Sequence, residues 1–594
     1  MGERHLARLF RQAAVTYGHR TATRVRRGTG WSTMTYERLA AEVEALGRTL
    51  IDLGVEPGDR VAIFSGNRPE WSEADLAVLS ACAVVVPVYH TSTTEELRYV
   101  LDHAGVTVAF VSGSAEVETV KRVWDKLPEL RTVITFDAVR DADPRVRSLD
   151  EVRAEPPSKT AAAELEQRLE QAEPDDLASI IYSSGTTGTP KGAMLSHAGF
   201  VDQCTALLKF FDFGPSDTSL CFLPLAHALE RAWTFCLLSQ GALNTYVTDP
   251  RTIAEMLTLV RPSLLVSVPR LYDKVHAAVH EQAATPTKRR VLEWSLKVGR
   301  KAQAAYAAGR RPSPLVRAQL GVADRLVLRK VRDAMGGPKN VMACGGAALL
   351  PEVEEFFSAA GMLICQGYGM TESSPLMTFN SPQAHKVGSV GRAMAGSELR
   401  IAEDGEVWYR GPNVMKGYWR DEELTAQTLV DGWLRTGDVG RLDGDGFLFI
   451  TDRMKDLIVT AGGKNVAPAP IEGRLLADPF FEQAVVMGDG KPYLTLLVKP
   501  SLPQLEALGR RLELTWGDLA DLIHNRTLLD DVKERVAAVC ASFPKHEQVK
   551  DLRLVLDEFT QENGLLTPTL KVRRREVAKR FGGLVDEMYA AVAR

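Results

Sequence analysis

The stretch Leu177-Ala-Ser-Ile-Ile-Tyr-Ser-Ser-Gly-Thr-Thr-Gly-Thr-Pro-Lys-Gly-Ala-Met-Leu195 places a loop of glycines and hydroxyl residues between two apolar segments. Leu177 to Tyr182 predicts a strand before the loop, and Ala193 to Leu195 predicts a strand after it. The glycines let backbone N–H groups converge on an anion without obstruction by a Cβ atom. We therefore predict that the loop binds a polyphosphate through Ser183, Ser184, Gly185, Thr186, Thr187, Gly188 and Lys191.

This loop differs from a Walker A loop, which has the pattern G-x-x-x-x-G-K-[ST] and opens a helix. Here Pro190 precedes the lysine, Gly192 follows it, and the next segment has the apolar pattern of a strand. The sequence thus predicts a strand–loop–strand phosphate site and excludes the P-loop class of nucleotide-binding proteins.

Outward from the loop, the first 150 residues alternate apolar strands with helical segments, which predicts a parallel α/β sheet. An Ala/Glu-rich helix is predicted just upstream of the loop, over Lys159 to Ala172. The other predicted helices are Tyr36 to Leu53, Trp71 to Cys82 and Glu95 to Ala104, and the predicted strands are Arg60 to Phe64, Val84 to Tyr89 and Val106 to Val111.

Downstream, the pattern changes near Gly388 to short strands separated by turns, and α+β patterning resumes after Asp452. We predict an α/β protein whose large N-terminal domain of stacked sheets covers residues 1–451 and includes a small β-barrel-like, β-rich subdomain over about 388–451. A small α+β domain is predicted over 457–594. The strands predicted for the subdomain are Glu398 to Ile401, Glu406 to Tyr409 and Phe447 to Thr451.

The composition is typical of an ordinary soluble enzyme. A length of 594 residues is enough for several domain-sized units. The net charge of −4, from 72 Lys and Arg against 76 Asp and Glu, predicts no nucleic-acid partner. Seven cysteines without paired metal-ligand spacing predict reduced, buried thiols. The longest apolar run, Leu76 to Val88, is shorter than the roughly 20 residues that span a bilayer. We expect a cytoplasmic protein, with peripheral contact to the inner membrane surface as an open alternative.

The loop resembles the signature of the acyl-adenylate-forming superfamily, which includes acyl-CoA synthetases, luciferases and peptide-synthetase adenylation domains. Other motifs of that superfamily follow in order, so the resemblance covers nearly the whole chain. The glycine loop and the Thr-Pro-Thr-x-Lys ending are most similar to the long-chain fatty acyl-CoA synthetase branch. The motifs begin at Phe222, Ser267, Gly345, Gln366, Tyr409, Gly432, Asp452, Ala461 and Leu566.

The resemblance implies a reaction in two halves. A fatty acid carboxylate attacks the α-phosphate of ATP to give acyl-AMP and pyrophosphate, and the thiol of coenzyme A then displaces AMP. One anion attacks another in the first half, so the protein must screen charge and hold the reactants in line. The implied cofactors and co-substrates are ATP, Mg²⁺ and coenzyme A.

Three catalytic residues follow from the resemblance. Lys571 matches the mobile lysine that bridges the attacking carboxylate and the α-phosphate, a task suited to a point charge on a flexible stem. Glu372 matches the carboxylate that holds Mg²⁺, with Thr186 as the second predicted metal ligand. His227 matches a histidine at the mouth of the acyl pocket.

The remaining predicted site residues also follow from the resemblance. Tyr368 offers a face for adenine, and the glycine loop lines the tunnel for coenzyme A. Asp438, which follows a predicted turn over Trp433 to Gly437, and Arg453 match the groups that hold the ribose. Lys455 matches the hinge, here residues 452–456, about which the small domain rotates between the two half-reactions. The other predicted cofactor-binding residues are Gly346, Ala347, Gln366, Gly367, Gly369, Thr371, Gly462, Gly463 and Lys464.

Several alternatives stay open at this stage. The protein could be a ligase for another carboxylic acid, medium-chain or aryl, or an acyl-AMP ligase that loads a carrier protein. A non-enzymatic sensor of nucleotide or acyl-CoA is disfavoured because the full set of charged motif residues is retained. Sequence does not distinguish a monomer from a homodimer.

Residues 281–335 contain 13 Lys and Arg against 4 Asp and Glu. This stretch is interpreted as a solvated helical insertion, as a surface that attracts fatty acids and anionic membrane, or as a contact for the phosphates of coenzyme A. The spacing of Leu6, Leu9, Phe10 and Ala13 near the N-terminus favours packing against the core over contact with a membrane.

Overall fold

The computed structural model describes residues 2–184, 189–567 and 572–590. The strands are β1 Thr21–Arg27, β2 Gly30–Thr35, β3 Arg60–Phe64, β4 Val84–Val88, β5 Val106–Val111, β6 Thr132–Thr135, β7 Val146–Ser148, β8 Leu177–Ser184, β9 Pro190–Ser196, β10 Thr218–Cys221, β11 Leu243–Tyr246, β12 Leu264–Ser267, β13 Val341–Cys344, β14 Cys365–Gly369, β15 Leu376–Phe379, β16 Arg392–Ala393, β17 Glu398–Ile401, β18 Glu406–Arg410, β19 Leu429–Val430, β20 Trp433–Leu442, β21 Leu448–Arg453, β22 Ile458–Val459, β23 Asn465–Val466, β24 Phe481–Met487, β25 Leu494–Pro500 and β26 Val549–Leu554.

Helices connect most of these strands. The α-helices are α1 Leu6–Tyr17, α2 Tyr36–Asp52, α3 Pro69–Ser80, α4 Thr94–Ala104, α5 Ser114–Lys121, α6 Leu149–Ala154, α7 Lys159–Gln171, α8 His197–Leu207, α9 Ala228–Ser239, α10 Ile253–Val260, α11 Pro269–Gln282, α12 Pro286–Ala307, α13 Pro314–Ala323, α14 Arg329–Ala334, α15 Pro351–Ala359, α16 Glu422–Thr428, α17 Pro468–Leu476, α18 Leu502–Arg511, α19 Leu519–His524, α20 Arg526–Cys540, α21 Arg574–Arg580 and α22 Gly582–Ala590.

Two large sheets form the N-terminal part. The first sheet has the order β7-β6-β5-β3-β4-β8-β9 and is parallel except for the last pair. The second sheet has the order β16-β15-β14-β13-β12-β10-β11-β1-β2, with parallel strands at its centre. All five residues of β4 are buried, as expected for a strand covered on both faces. The predicted α/β class is confirmed, and the helices and strands predicted upstream of the loop match the observed ones to within two residues at either end.

One hydrophobic core joins the two sheets, since it contains Val61 and Val85 of the first sheet together with Leu264 and Val341 of the second. The apolar face of α1 also packs into this core, as the sequence predicted. Packing of the large domain therefore fixes the position of the β8–β9 hairpin of the first sheet relative to the motif strands of the second.

A buried ion pair fixes helix α9 within that core. Arg231 donates to both carboxylate oxygens of Asp75 on α3, with distances of 2.6 and 2.9 Å, and donates to Ser179 Oγ on β8 at 2.6 Å. Both charged side chains are almost fully shielded from solvent. Removing one partner of such a pair costs about 3–5 kcal/mol because the other charge stays buried. The pair therefore holds α9, and with it the histidine at its N-cap, in one position.

The β-rich subdomain is an antiparallel sheet with the path β17-β18-β20-β19, in which β21 also pairs with β20. Its sheet begins at Glu398, because the preceding strand β16 still belongs to the second sheet. Trp433 to Gly437 was predicted as a turn, and that prediction is wrong: these residues lie inside β20, where Gly437 has a φ of 69°. Asp438 consequently lies on a strand directly opposite Arg453.

The C-terminal part has its own hydrophobic clusters, whose buried members all lie between Ile458 and Met588. β24, β25 and β26 form its main sheet, and β22 pairs with β23 in a short hairpin. Two ion pairs connect this part to the large domain. Arg474 Nη2 lies 2.6 Å from Glu352 Oε1, and Arg573 Nη2 lies 3.6 Å from Glu96 Oε1.

The seven cysteines are free thiols, and six of them are buried. Within the described ranges, no group of His, Cys, Asp and Glu side chains is arranged to hold a metal ion by itself. In the same ranges, no helix is long and apolar enough to cross a bilayer. The absence of disulfides agrees with the predicted reduced state of the cysteines.

Candidate functional site

The predicted phosphate-binding loop connects β8 to β9, and these two strands form an antiparallel hairpin. Ser183 pairs with Lys191, so the lysine belongs to a strand rather than to the loop, and β9 begins earlier than predicted. Ser184 is the last residue of β8. Residues 185–188, which include the predicted metal ligand Thr186, lie outside the described residues, and their roles stay predictions.

Tyr418 connects the lysine of the hairpin to the predicted magnesium ligand. Its hydroxyl donates to Glu372 Oε1 at 2.7 Å, and Lys191 Nζ lies 5.9 Å from the centre of its ring. Burial and the neighbouring carboxylate raise the pKa of Tyr418, so the phenol stays protonated and donates. In the described part of the chain, no carboxylate forms an ion pair with Lys191. The cation of Lys191 thus lies over the Tyr418 ring, and the Glu372 carboxylate accepts from the hydroxyl of the same side chain.

Strand β14 and the turn after it carry the motif that contains Glu372. A Cβ atom on Gly369 would lie 1.8 Å from Pro375 O, and one on Gly367 would lie 2.4 Å from Phe379 Cδ2. Only glycine fits this close antiparallel contact between β14 and β15. The tight packing fixes Thr371 and Glu372 in the short helical turn that follows β14.

The predicted ribose site is a connected group of three side chains. Tyr368 donates its hydroxyl to Asp438 Oδ2 at 2.6 Å, and Arg453 Nε donates to Asp438 Oδ1 at 2.9 Å. Burial and the neighbouring Asp438 raise the pKa of Tyr368. Burial lowers the pKa of Arg453, but its interactions with Asp438 outweigh burial, so that pKa is raised overall. Tyr368 and Arg453 thus orient Asp438, and the remaining lone pairs of its oxygens can accept from two neighbouring hydroxyl groups.

Gln366 lies on the same strand but is engaged inside the protein. Its Nε2 donates to Glu354 Oε2 at 2.7 Å, and its Oε1 accepts from Leu349 N at 3.3 Å. Both ends of the side chain are occupied in this way, so its geometry favours positioning of β14 over direct contact with a nucleotide. By contrast, Gly346 and Ala347 are exposed after β13, where a ligand can approach the backbone.

His227 is the N-cap of α9, and its Nδ1 accepts from Leu229 N at 3.1 Å. Leu229 lines a small apolar cavity of about 20 Å³, room for about one water molecule. A Cβ atom on Gly345 would lie 3.5 Å from Leu229 Cδ2, so the cavity borders the glycine segment after β13. The structure therefore brings His227, the glycine segment and an apolar cavity together. The cavity is lined by Gln203, Leu207, Leu229, Ala232, Trp233, Val266, Ala343, Pro375, Leu376 and Phe379.

The hinge and the small domain carry the remaining predicted site residues. Lys571 lies outside the described residues, but Leu566 and Val572 on either side of it form a β-bridge. Arg573 contacts Glu96 on the large domain, as described above. Lys455 is exposed in the turn after β21. Gly462, Gly463 and Lys464 lie exposed at the tip of the β22–β23 hairpin.

Sequence analysis did not single out two residues that the structure places in the site. Tyr418 separates Lys191 from Glu372, and Asn413 donates to Ser373 O and Leu376 O beside that carboxylate. Both lie in the motif that begins at Tyr409, so the motif itself was the available signal. Their partners were not readable from the sequence because the contacts join segments about 40 residues or more apart.

The arrangement suits charge screening around a polyphosphate. A single protein carboxylate together with phosphate oxygens and water is a sufficient ligand set for Mg²⁺, and Glu372 offers that carboxylate next to Lys191. The Asp438 group offers acceptors for vicinal hydroxyls. The residues present therefore fit a magnesium–nucleotide complex.

Comparison with known families agrees with this geometry. The AMP-binding enzyme family matches residues 9–419, and the AMP-binding enzyme C-terminal domain matches residues 455–593. The chain belongs to the AMP-binding enzyme family, which confirms the resemblance seen in the sequence.

Curated relatives extend over nearly the whole chain. Long-chain-fatty-acid–CoA ligase FadD15 of Mycobacterium tuberculosis is 36% identical over 570 residues, covering 94% of this chain and 92% of that protein. Long-chain-fatty-acid–CoA ligase 1 of Homo sapiens is 30% identical over 588 residues, covering 94% and 82%. The similarity thus includes both the large domain and the C-terminal part.

Solved structures share the fold at lower identity. The anthranilate CoA ligase AuaEII, in complex with anthranoyl-AMP, has a TM-score of 0.72 at 18% identity and covers 97% of each chain. The A domain of the carboxylic acid reductase from Segniliparus rugosus, in complex with AMP and a carboxylic acid, has a TM-score of 0.74 at 22% identity, covering 99% of this chain and 94% of that chain. These structures confirm the predicted architecture of a large N-terminal domain and a smaller C-terminal one.

Proposed function

We propose that this protein is an ATP-dependent long-chain fatty acid–CoA ligase. The observation that carries the proposal is the polar geometry near the β8–β9 hairpin, where Tyr418 contacts both Lys191 and Glu372. Together with the Tyr368–Asp438–Arg453 group, it is suited to a magnesium-bound nucleotide. The relatives named above carry the same activity in their names.

In the first half-reaction, the fatty acid carboxylate attacks the α-phosphorus of ATP, a P–O bond to the β-phosphate breaks, and pyrophosphate leaves. Lys191 screens the phosphate charge, and Tyr418 keeps Glu372 oriented toward the same region. Asp438 holds the ribose hydroxyls, so the nucleotide is fixed while the carboxylate approaches in line. When bound at Glu372, Mg²⁺ supplies further neutralisation of the phosphates.

In the second half-reaction, the thiolate of coenzyme A attacks the acyl carbonyl carbon of acyl-AMP, and AMP leaves as its phosphate takes the bonding electron pair. The proposed role of the turn at Lys455 is to let the small domain rotate, so that the hairpin with Gly462 and Gly463 faces the site in place of Lys571. The proposed role of His227, the N-cap of α9, is to orient the reacting carboxyl end of the chain.

We expect thioester formation with coenzyme A to be fastest for long-chain fatty acids. The measurement is AMP release with a series of acids from short to very long, together with benzoate as an aryl acid and an acyl carrier protein as an alternative acceptor. Because each buried methylene contributes about 0.8 kcal/mol, kcat/KM should rise about fourfold for each added carbon until the acyl site is filled. Faster turnover of the aryl acid would indicate a ligase for aryl acids instead. Transfer to the carrier protein alone would indicate an acyl-AMP ligase that loads a carrier.

We also propose that the basic helices α13 and α14 dock the enzyme peripherally on the inner, anionic surface of the cytoplasmic membrane. Residues 281–335 form, in part, a helical insertion, because the inward faces of α12 to α14 pack on the core. The outward face keeps large apolar side chains in solvent: Leu315, Val322 and Leu326 are 68%, 51% and 47% exposed. Their spacing of seven and four residues places them on one side of the helix.

Basic residues flank this apolar face. Arg325 and Arg329 are exposed beside it, and each basic residue near an anionic surface contributes about 1 kcal/mol. Exposed leucines between arginines are typical of helices that lie in the membrane interface.

Replacing Leu315 and Val322 by aspartate is expected to lower binding to vesicles that contain phosphatidylglycerol about tenfold or more, because apolar area and favourable charge are lost together. The measurement is co-sedimentation with sucrose-loaded vesicles, with pure phosphatidylcholine vesicles for comparison. Leu502→Asp is the matched control, since Leu502 is exposed on the small domain, far in sequence from α13. Equal binding of the double variant and the wild type would refute docking through this face.

A further inference from the structure

The segment between β10 and α9, residues 222–227, ends at His227 and is packed between two polar side chains. Asn67, in the loop after β3, donates to Leu223 O at 2.6 Å, and its Oδ1 accepts from Leu225 N at 3.0 Å. On the α9 side lies Glu230, which is three residues after His227 and fully buried. The proposed reaction gives this second side chain no role, although it packs against the segment that carries His227.

The carboxyl group of Glu230 is buried without a cation. In the part of the chain that the structure describes, neither of its oxygens has a hydrogen-bond partner. The adjacent Arg231 directs its guanidinium to Asp75 instead. Burial without a partner penalises a carboxylate far more than a carboxylic acid, because only the charged form loses strong hydration. The geometry alone therefore favours a protonated Glu230.

The titration of the surrounding groups agrees with this geometry. Burial raises the pKa of Glu230 from 4.5 to about 8, although the Cys221 thiol and the Leu223 N–H, which face the carboxyl, oppose the shift. Burial also raises the pKa of the Cys221 thiol at the end of β10 and that of the Tyr246 phenol on β11, both well above their ordinary values. Of these three groups, Glu230 is thus the one that loses its proton near pH 8.

We propose that Glu230 is a positioning residue for His227 that works as a neutral acid, so that its ionisation sets the alkaline limit of the adenylation reaction. With the proton in place, residues 222–227 pack closely against α9. Release of the proton to solvent leaves an uncompensated charge in the core, which only water entry or movement of the segment relieves. The inference rests on the proposed function in assigning His227 to the acyl carboxylate.

The expected effect is a pH dependence with a single ionisation. We expect kcat/KM for adenylation to stay constant up to about pH 7.5 and to fall about tenfold for each pH unit above about pH 8, as the loss of one proton requires. Adenylation is the suitable half-reaction because the thiol of coenzyme A, which enters only the second half, titrates in the same range.

The test compares pH profiles of the full-length enzyme, measured as pyrophosphate release from ATP and palmitate between about pH 6 and about pH 9.5. Glu230→Gln keeps the shape of the side chain and an acceptor that faces the Leu223 N–H, but it is neutral at every pH. The fall near pH 8 should therefore disappear. Glu118→Gln is the matched control, because Glu118 is an exposed carboxylate on α5, and it should keep the fall.

Melting temperatures test the buried proton without any substrate. Because folding raises the pKa of Glu230, the stability that this proton contributes at acid pH is lost as the pH rises from about 4.5 to about 8. The melting temperature of Glu230→Gln minus that of the wild type should therefore grow between about pH 5 and about pH 8. For Glu118→Gln this difference should stay nearly constant.

The outcomes are distinguishable. A fall near pH 8 that Glu230→Gln removes and Glu118→Gln retains supports the inference. A wild-type profile without the fall, or a Glu230→Gln profile that keeps it, overturns the inference and leaves the ligase function standing. Glu230→Met, which is also neutral, takes the place of Glu230→Gln if that variant fails to fold. If the wild type activates no fatty acid, the proposed function fails, and a constant difference in melting temperature then overturns the buried proton as well.

Discussion

Replacing Lys571 by alanine is expected to slow pyrophosphate release from ATP and fatty acid by about 10²–10³-fold or more, while preformed acyl-AMP still reacts with coenzyme A at nearly the wild-type rate. The proposed role of this ammonium group is to bridge two anions, the attacking carboxylate and the α-phosphate, and no such repulsion exists in the second half-reaction. The measurement is pyrophosphate release in the first half and AMP release from synthetic acyl-AMP in the second.

Two features make this experiment specific. Lys579→Ala is the matched control, since Lys579 is an exposed lysine on α21 in the same domain and should leave both half-reactions unchanged. An unchanged melting temperature of the Lys571 variant would show that the fold is intact. Adenylation at the wild-type rate would refute the assignment of this lysine, even if the ligase activity itself is confirmed.

The described residues around Lys571 are compatible with that role. Arg573 reaches Glu96 at the start of α4, so the chain next to the lysine lies against the large domain. Glu96 also forms the capping box of α4 with Thr93, which holds the carboxylate in place. This contact belongs to the arrangement in which the first half-reaction is expected to occur.

Much of the fold was predictable because local pattern and motif order point the same way. The strand over Val106 to Val111 was predicted with its observed bounds, since a continuous apolar run between two helices has few other solutions. The Gly437 region was mispredicted as a turn for the opposite reason. Glycine with positive φ is typical of turns, but here it occurs inside β20, and pairing with neighbouring strands overrides the local signal.

For the candidate site, the sequence indicated which residues to expect but not which residues they contact. Motif resemblance identified Glu372, Tyr368 and Asp438, yet it did not show that the tyrosine hydroxyl binds the aspartate. Nor did it show that Tyr418 bridges the lysine of the hairpin to the glutamate. Such contacts depend on how the two large sheets and the subdomain pack together, which is set by non-local burial and not by spacing along the chain.

Replacing Lys455 by proline is expected to leave adenylation within about threefold of wild type and to lower thioester formation about 100-fold. Proline fixes φ near −65° and restricts the preceding residue, so the turn can hold one arrangement of the small domain but resists the change to the other. The fold should tolerate the substitution, because Lys455 is exposed and, within the described residues, its N–H makes no backbone hydrogen bond.

The contrast between the two half-reactions is what identifies Lys455 as a hinge. Lys455→Ala removes the same charge without stiffening the backbone, so this control should retain both activities. A rotation that stops even about 1 Å short of its end point can cost 10²-fold in rate, because the thiol of coenzyme A must meet the acyl carbon in line. Single-turnover measurement of each half separates the two effects. Equal losses in both halves would mean that the proline disturbs the site directly, and the proposed rotation about residues 452–456 would then have to be abandoned.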